Sequence, residues 1–262
     1  MHPDLLSQCQ RWRAGRASYR PAGEVFNTSR ASVELIDERT AKHFVERHHY
    51  SRSMPAARLR VGVFVRPAFG TEYLGGVLVF SQPMTQQVIP ATLDLPPQQG
   101  VELGRMVLLD SLEANAETWA LARAFRLLRR TLPEIRGVIA YCDPVERRDL
   151  TGQLTKRGHT GIIYRAHNAR AVGRSSPRTL WLLPDGRIAS ERGLSKLRSG
   201  DVGKDYVERM LRDAGAPRRA NSEAAADWIV RLKHEGFLTA LRHPGNYRFA
   251  WRLDSAAHRA GR

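Results

Sequence analysis

Two apolar runs bracket the strongest helical repeat in the chain, and this arrangement limits the fold more than any other feature. "VELGRMVLLD" (101–110) has the length and side chains of a strand. "NAETWALARAFRLLRR" (115–130) follows, with Trp119, Leu121, Ala122, Phe125 and Leu128 on one apolar stripe and arginines on the other side. "RGVIAYCD" (136–143) is a second apolar run, read as a buried strand. A strand, a crossover helix and a further strand place the helix on one face of a sheet.

Upstream, "SVELID" (32–37) alternates like a strand, and "DERTAKHFVERHH" (37–49) spaces Ala41, Phe44, Val45 and His48 as a helix does, with Asp37 as N-cap. "LRVGVFV" (59–65) and "YLGGVLVFS" (73–81), joined by "RPAFGTE", predict a hairpin. Downstream, "GIIYRA" (161–166) and "RTLWLL" (178–183) read as strands, and "PDG" turns the latter into "RIAS". Hairpin-linked strands followed by a crossover predict an α+β fold.

Residues 1–30 are arginine-rich and weakly patterned, and are expected to form a basic arm. The main domain is expected over 31–190. From about 191 the chain reads as two or three basic helices broken by Gly and Pro. Its tail, "LRHPGNYRFAWRL", interleaves arginine with Tyr247, Phe249 and Trp251. Residues 191–262 are therefore expected to be a helical appendage that contacts DNA.

Charge points the same way. The 42 Lys+Arg against 26 Asp+Glu give a net +16, while 42% hydrophobic residues support a real core. Arginine forks suit phosphates and base edges, so nucleic acid is the expected partner. Cys9 and Cys142 form no disulfide framework, and no Cys/His spacing suits zinc. "MHPDLLSQCQRWRAGR" lacks the apolar core of a signal peptide, and no run approaches the roughly 20 apolar residues of a membrane span. The expectation is a soluble, cytoplasmic protein.

Three stretches carry candidate chemistry. "HHYSR" (48–52) closes the first helix: His48 falls on its apolar side, whereas His49 and Tyr50 lie past its end, free to reach a cleft as proton carriers. In "VELGRMVLLDSLEANAETW" a strand runs into a helix N-terminus, whose unpaired N–H groups favour anions. Glu102 and Arg105 are three apart, so on a regular strand they face opposite sides and only one reaches a cleft. The third stretch is "YCDPVERR". Asp143 ends an apolar strand before Pro144, where ligands bind in open sheets, or it merely caps a turn. The chain has no GxGxxG or Walker loop, which disfavours nucleotide hydrolysis and adenine methylation with a glycine-rich cofactor loop.

The element order resembles the GNAT acyltransferase fold, a mixed central sheet flanked by helices. "HHYSR", "ELGRMVLLD", "YCDP" and "GHTGIIYRAHNARAVG", in that order, resemble the Mom family of phage DNA-modification proteins. The resemblance covers about residues 32–190. It implies transfer of a carbamoylmethyl-type group to N6 of adenine in double-stranded DNA, protecting phage DNA from restriction in the bacterial host. It implies catalytic roles for His49, Tyr50, Arg105, Asp143 and Tyr164, and donor binding by Arg105, Ser111 and Asn115. The donor is an acyl-CoA or, because "DSLEANAET" holds neither Gly nor Arg, another activated species such as an aminoacyl-tRNA. Iron is a further implied possibility, with His49, Tyr50 and Asp143 as N/O ligands. The competing readings are a GNAT enzyme acting on tRNA, protein or a small amine, and a non-catalytic DNA-binding protein.

Overall fold

The computed structural model describes residues 8–13, 16–21, 25–85 and 87–253. The chain divides into two compact units: residues 1–144, 159–175 and 246–262 form the first, and residues 145–158 and 176–245 the second.

In chain order the first unit holds β1 (Gln8–Arg13), β2 (Arg16–Pro21), β3 (Ala31–Leu35), α1 (Glu38–His48), β4 (Ala57–Val65), β5 (Tyr73–Ser81) and α2 (Val88–Leu93). β6 (Gly100–Leu108), α3 (Ala116–Thr131) and β7 (Gly137–Cys142) follow. The second unit begins with β8 (Arg147–Arg148) and β9 (Leu154–Lys156). The chain then returns for α4 (Ile162–Ala166) and β10 (Arg170–Arg174). It leaves again for β11 (Arg178–Leu182), β12 (Ile188–Ala189), α5 (Glu191–Ser199), α6 (Lys204–Asp213), α7 (Ala225–His234) and β13 (Thr239–His243), and ends with β14 (Tyr247–Arg252) in the first unit.

The first unit is built on a seven-stranded sheet ordered β10-β14-β7-β6-β5-β4-β3. Its pairs are antiparallel except β6 with β7, which run parallel because α3 carries the chain from one to the other. This is a mixed α+β architecture with helices on both faces. α3 buries Leu121, Phe125 and Leu128 against one face, together with Val61, Phe80, Leu103 and Val138. Each such side chain contributes about 1.5–3 kcal/mol. Ala122, expected on that stripe, is exposed, and Ala120 and Ala124 are buried instead. On the other face, α1 packs Ala41, Phe44 and Val45 with Val77, Val79 and Val107, and the α2 residues Ile89 and Leu93 cover Ile139 and Ala250.

Asp37 caps α1 as its sequence suggests, its carboxylate accepting the Thr40 N–H at 2.9 Å. Residues 161–166 are not a strand. Gly161 has φ +79, where a Cβ would meet the Phe249 ring at 2.3 Å, and this left-handed residue starts a short helix. A five-residue apolar run fits either structure by pattern alone. Of the arm expected at 1–30, residues 1–7, 14–15 and 22–24 lie outside the described residues, and the backbone between them pairs as the antiparallel β1–β2 hairpin.

The expected break at 190 does not separate the two units. The tail "NYRFAWRL" is no part of a helical appendage: β14 lies between β7 and β10, in register with β7 from Tyr247↔Cys142 to Arg252↔Gly137. Its alternation explains why, since Phe249 is fully buried and Trp251 nearly so, while Arg252, between solvent and α2, donates to the Leu93 carbonyl. Conversely "RTLWLL" and "RIAS" belong to the second unit, as β11 and β12 of the sheet β12-β11-β13. There α5, α6 and α7 enclose Leu194, Leu211, Trp228 and Leu232, and the Trp228 Nε1–H is satisfied by the Pro217 carbonyl at 2.9 Å.

Candidate functional site

β6 and β7 share only three pairs, Gly100↔Gly137, Val101↔Val138 and Glu102↔Ile139, before the pairing stops. Beyond Glu102 the sheet opens, and the side chains of interest gather there.

The first is brought in by a bulge. Phe80 pairs with Leu103 and Val79 with Arg105, so Gly104 is an extra residue with no partner on β5. A side chain at 104 would meet the Ser81 hydroxyl at 2.3 Å, so only glycine fits. The extra residue inverts the alternation. Glu102 and Arg105, expected on opposite faces, lie on the same face, that of α1.

Arg105 is locked by the loop that follows α1. Its Nε–H donates to the Ser53 carbonyl at 2.8 Å, one Nη2–H to the Ser53 hydroxyl at 2.9 Å, and Nη1 to the Gly104 carbonyl. Burial holds its guanidinium below the usual arginine range, opposed by the neighbouring Tyr50 and Glu102. Glu102 is shifted the other way: burial raises its carboxyl above the ordinary glutamate range and Arg105 only partly restores it.

His49 ends α1, with its backbone N–H on the Val45 carbonyl. Its Nδ1 accepts the Ser51 N–H at 3.1 Å and lies 2.8 Å from the Ser51 hydroxyl. An accepting Nδ1 places the proton of the neutral ring on Nε2. The Tyr50 ring lies 4.3 Å from that imidazole. His48 packs on Phe44 at 4.6 Å, and burial together with Arg47 and His43 lowers its pKa. It is a packed helix residue, in keeping with its place on the apolar side of α1.

Tyr164 closes the opening from the α3 face. It is buried among Phe249 (5.7 Å between rings), Trp251 (5.5 Å) and His159 (5.5 Å). Burial, then Cys142, Tyr50 and Glu102, drive its phenol well above the usual range. It is therefore an un-ionised O–H donor at neutral pH, within electrostatic reach of residues on the opposite face. Asp143 is buried one residue past β7, its carbonyl accepting the His159 N–H at 2.8 Å. That bond ties the Asp143 backbone to the residue whose ring rests on Tyr164.

The structure thus gathers Tyr50, Arg105 and Tyr164, with His49 stacked on Tyr50 and Asp143 joined through His159. Ser111 and Asn115 are not drawn in. Both are exposed in the turn before α3, and among the described residues neither shares a hydrogen bond or ring contact with the cluster. Asn115 sits at φ +69 and offers no side-chain cap.

Reading the sequence missed Ser53, Tyr141, His159 and the full part of Glu102. Tyr141 lies on β7 opposite Arg248 of β14, whose guanidinium is 5.6 Å from its ring; burial raises its phenol pKa. The one available signal was Gly104 inside a strand pattern, which marks a bulge.

The cluster has the donors and carboxylates of an acid–base and charge-stabilising site: a fixed guanidinium, a neutral buried phenol, an imidazole of set tautomer, a buried aspartate and a half-buried glutamate. Among the described residues no three His, Cys, Asp or Glu side chains come together as a ligand set, and the His49 Nδ1 is engaged by Ser51. No helix among these residues is long and apolar enough to cross a membrane.

No curated protein matches the chain. The model of the Mom protein family matches residues 30–223, from the strand before α1 through the whole gathered site and on past α6. With that match over most of its 262 residues, the chain belongs to the Mom protein family.

Proposed function

We propose that the protein transfers a carbamoylmethyl-type group to N6 of adenine in double-stranded DNA, with the opening between β6 and β7 as its active site on a GNAT-like sheet. Family membership supports the coarser role, phage DNA modification. The observation that carries the finer one is the gathering of Glu102, Arg105, Tyr50 and Tyr164 where the two parallel strands part.

Adenine N6 is a weak nucleophile because its lone pair is delocalised into the ring, and it is stacked within the duplex. The base therefore flips out, at a cost of a few kcal/mol. Tyr50, backed by the His49 ring, offers a stacking surface. In the transfer a bond forms between N6 and the donor carbon. The bond from that carbon to the leaving group breaks, and the N6 proton passes to a base. Asp143 is the first choice for this base and His49 the second. The Arg105 guanidinium and the Tyr164 O–H stabilise negative charge developing on the donor, in a site where burial makes each interaction stronger than in water. Glu102 balances Arg105 when no donor is bound. An acyl-CoA or aminoacyl-tRNA donor joins N6 through its carbonyl carbon and releases the CoA thiol or the tRNA hydroxyl; a glycyl group attached in this way is an isomer of carbamoylmethyl and becomes it by rearrangement, whereas a donor with its leaving group on the methylene carbon gives carbamoylmethyl directly. Ser111 and Asn115 at the turn into α3 are the donor's proposed outer contacts.

The test is expression beside plasmid DNA, digestion to nucleosides and mass analysis. A mass-shifted deoxyadenosine with the wild type, absent with Asp143→Ala and Arg105→Lys, supports the reading. Unmodified nucleosides from the wild type overturn it.

A further inference from the structure

The outer face of α3 is a row of exposed arginines with no exposed carboxylate among them. It presents Arg123, Arg126, Arg129 and Arg130 to solvent. The helix has a single carboxylate, Glu117, which lies in the first turn and is only 9% exposed. Some other arginines pair with carboxylates: Arg58 with Glu134, Arg66 with Glu72, Arg198 with Glu191, and Arg231 with Glu223. Among the described residues Arg126 and Arg130 have no hydrogen bond or ion pair. Arg123 lies over the Trp119 ring at 5.8 Å, and Arg129 reaches the Leu253 carbonyl at 3.4 Å.

Arg126 is three residues from Arg123 and from Arg129, and four from Arg130. These are the spacings at which like charges on a helix face one another and repel. Only the last-turn pair, Arg129 and Arg130, gains from the helix dipole. A face that keeps such repulsion, with no carboxylate interspersed, is complementary to a polyanion. Its geometry fits one. From Arg123 to Arg130 the helix rises about 10 Å, roughly three phosphate-to-phosphate steps along one strand. Beside it α4, whose His167 ring meets the α3 Phe125 ring at 5.1 Å, adds the exposed Arg165. A row of arginines along the outside of a helix suits contact with the phosphate backbone, which positions a duplex and does not read its sequence.

We propose that the solvent face of α3, through Arg123, Arg126, Arg129 and Arg130, is a track for the phosphate backbone of duplex DNA. It holds the flank of the duplex whose adenine is modified. The inference rests on the reading of duplex DNA as substrate, and it names a surface outside the catalytic cluster.

The experiment measures binding of the full-length protein to a short DNA duplex by anisotropy, between about 50 and 200 mM salt. Each phosphate contact contributes about 0.9 to the slope of log affinity against log salt, so Arg126→Gln with Arg130→Gln lowers the slope by about 2. Over that range the wild type then loses about tenfold more affinity than the variant. Arg126→Lys with Arg130→Lys keeps the charge and the slope. Arg66→Gln with Arg198→Gln removes the same net charge from paired arginines and leaves the slope at its wild-type value. An unchanged slope in the α3 glutamine variant overturns the proposal. So does an equal fall in the Arg66/Arg198 control, or a larger effect on an RNA duplex than on DNA. Nucleoside analysis with the wild type separates the two ideas: modified deoxyadenosine together with an unaltered slope sinks only the α3 track.

Discussion

Glu102 and Arg105 face the same side of the sheet although three residues separate them on one strand, because Gly104 is bulged out between them. The two charges thereby meet where β6 leaves β7, and Ser53 holds the guanidinium in place. Four expectations follow from this geometry, each with its own measurement.

Gly104→Ala puts a methyl group against the Ser81 hydroxyl, at a built distance of 2.3 Å. Overpacking of this kind costs about 1–3 kcal/mol. A denaturant titration will show the loss of stability, and nucleoside analysis a fall in modified deoxyadenosine larger than the unfolded fraction explains. A variant with wild-type stability and activity removes the bulge from the explanation.

Tyr164→Phe keeps the ring that packs on Phe249 and Trp251 and deletes one hydroxyl. The melting curve stays close to that of the wild type, within about 1 kcal/mol. If the phenol stabilises charge on the donor, the modification rate falls by about 100-fold, as for loss of one oxyanion donor. Equal rates assign Tyr164 to packing alone.

Glu102 holds its proton to a higher pH in the folded protein than in the unfolded chain, because it is buried. Folding then favours the protonated form, so Glu102 costs stability once the pH rises above the ordinary glutamate range and through its raised value. Melting temperatures of wild type and Glu102→Gln, measured from about pH 4 to pH 8, should separate in favour of the variant on the alkaline side. Curves that stay parallel contradict the shift.

His48 carries the opposite sign. Its imidazole is lowered by burial, with Arg47 and His43 adding to the effect, so the folded state prefers the neutral ring. The stability it contributes is present above the usual histidine range and is lost as the pH falls through that range to the lowered value. His48→Gln should therefore lose less melting temperature than the wild type between neutral and mildly acid pH. An identical acid response would mean the ring titrates as it does in the unfolded chain.

How much of this was legible beforehand varies with the kind of order involved. β5 matches its run of residues end to end, α1 carries its Asp37 cap, and the β6–α3–β7 crossover lies where its apolar runs are. These are local matters: hydrophobic period, capping and branching act within about ten residues, so a linear chain displays them. His49, Tyr50 and Asp143 stood out for the same reason, as reactive side chains at the ends of such elements, Arg105 as a charge within an apolar strand, and Tyr164 only through the family resemblance.

What the linear chain could not reveal is which distant segments complete each surface. "GIIYRA" has too few residues for its period to decide, and the Phe249 ring against Gly161 makes it a helix. "NYRFAWRL" follows a helical region, yet the open edge of β7 takes it as a neighbour because its alternate aromatics fill the core there. Glu102 joins Arg105 only through the register of β6 against β5, a property of two strands rather than one. Sequence by itself determined the local elements and the chemistry they offer. Tertiary structure alone decided which of those groups meet, since burial and strand register depend on contacts between residues far apart in the chain.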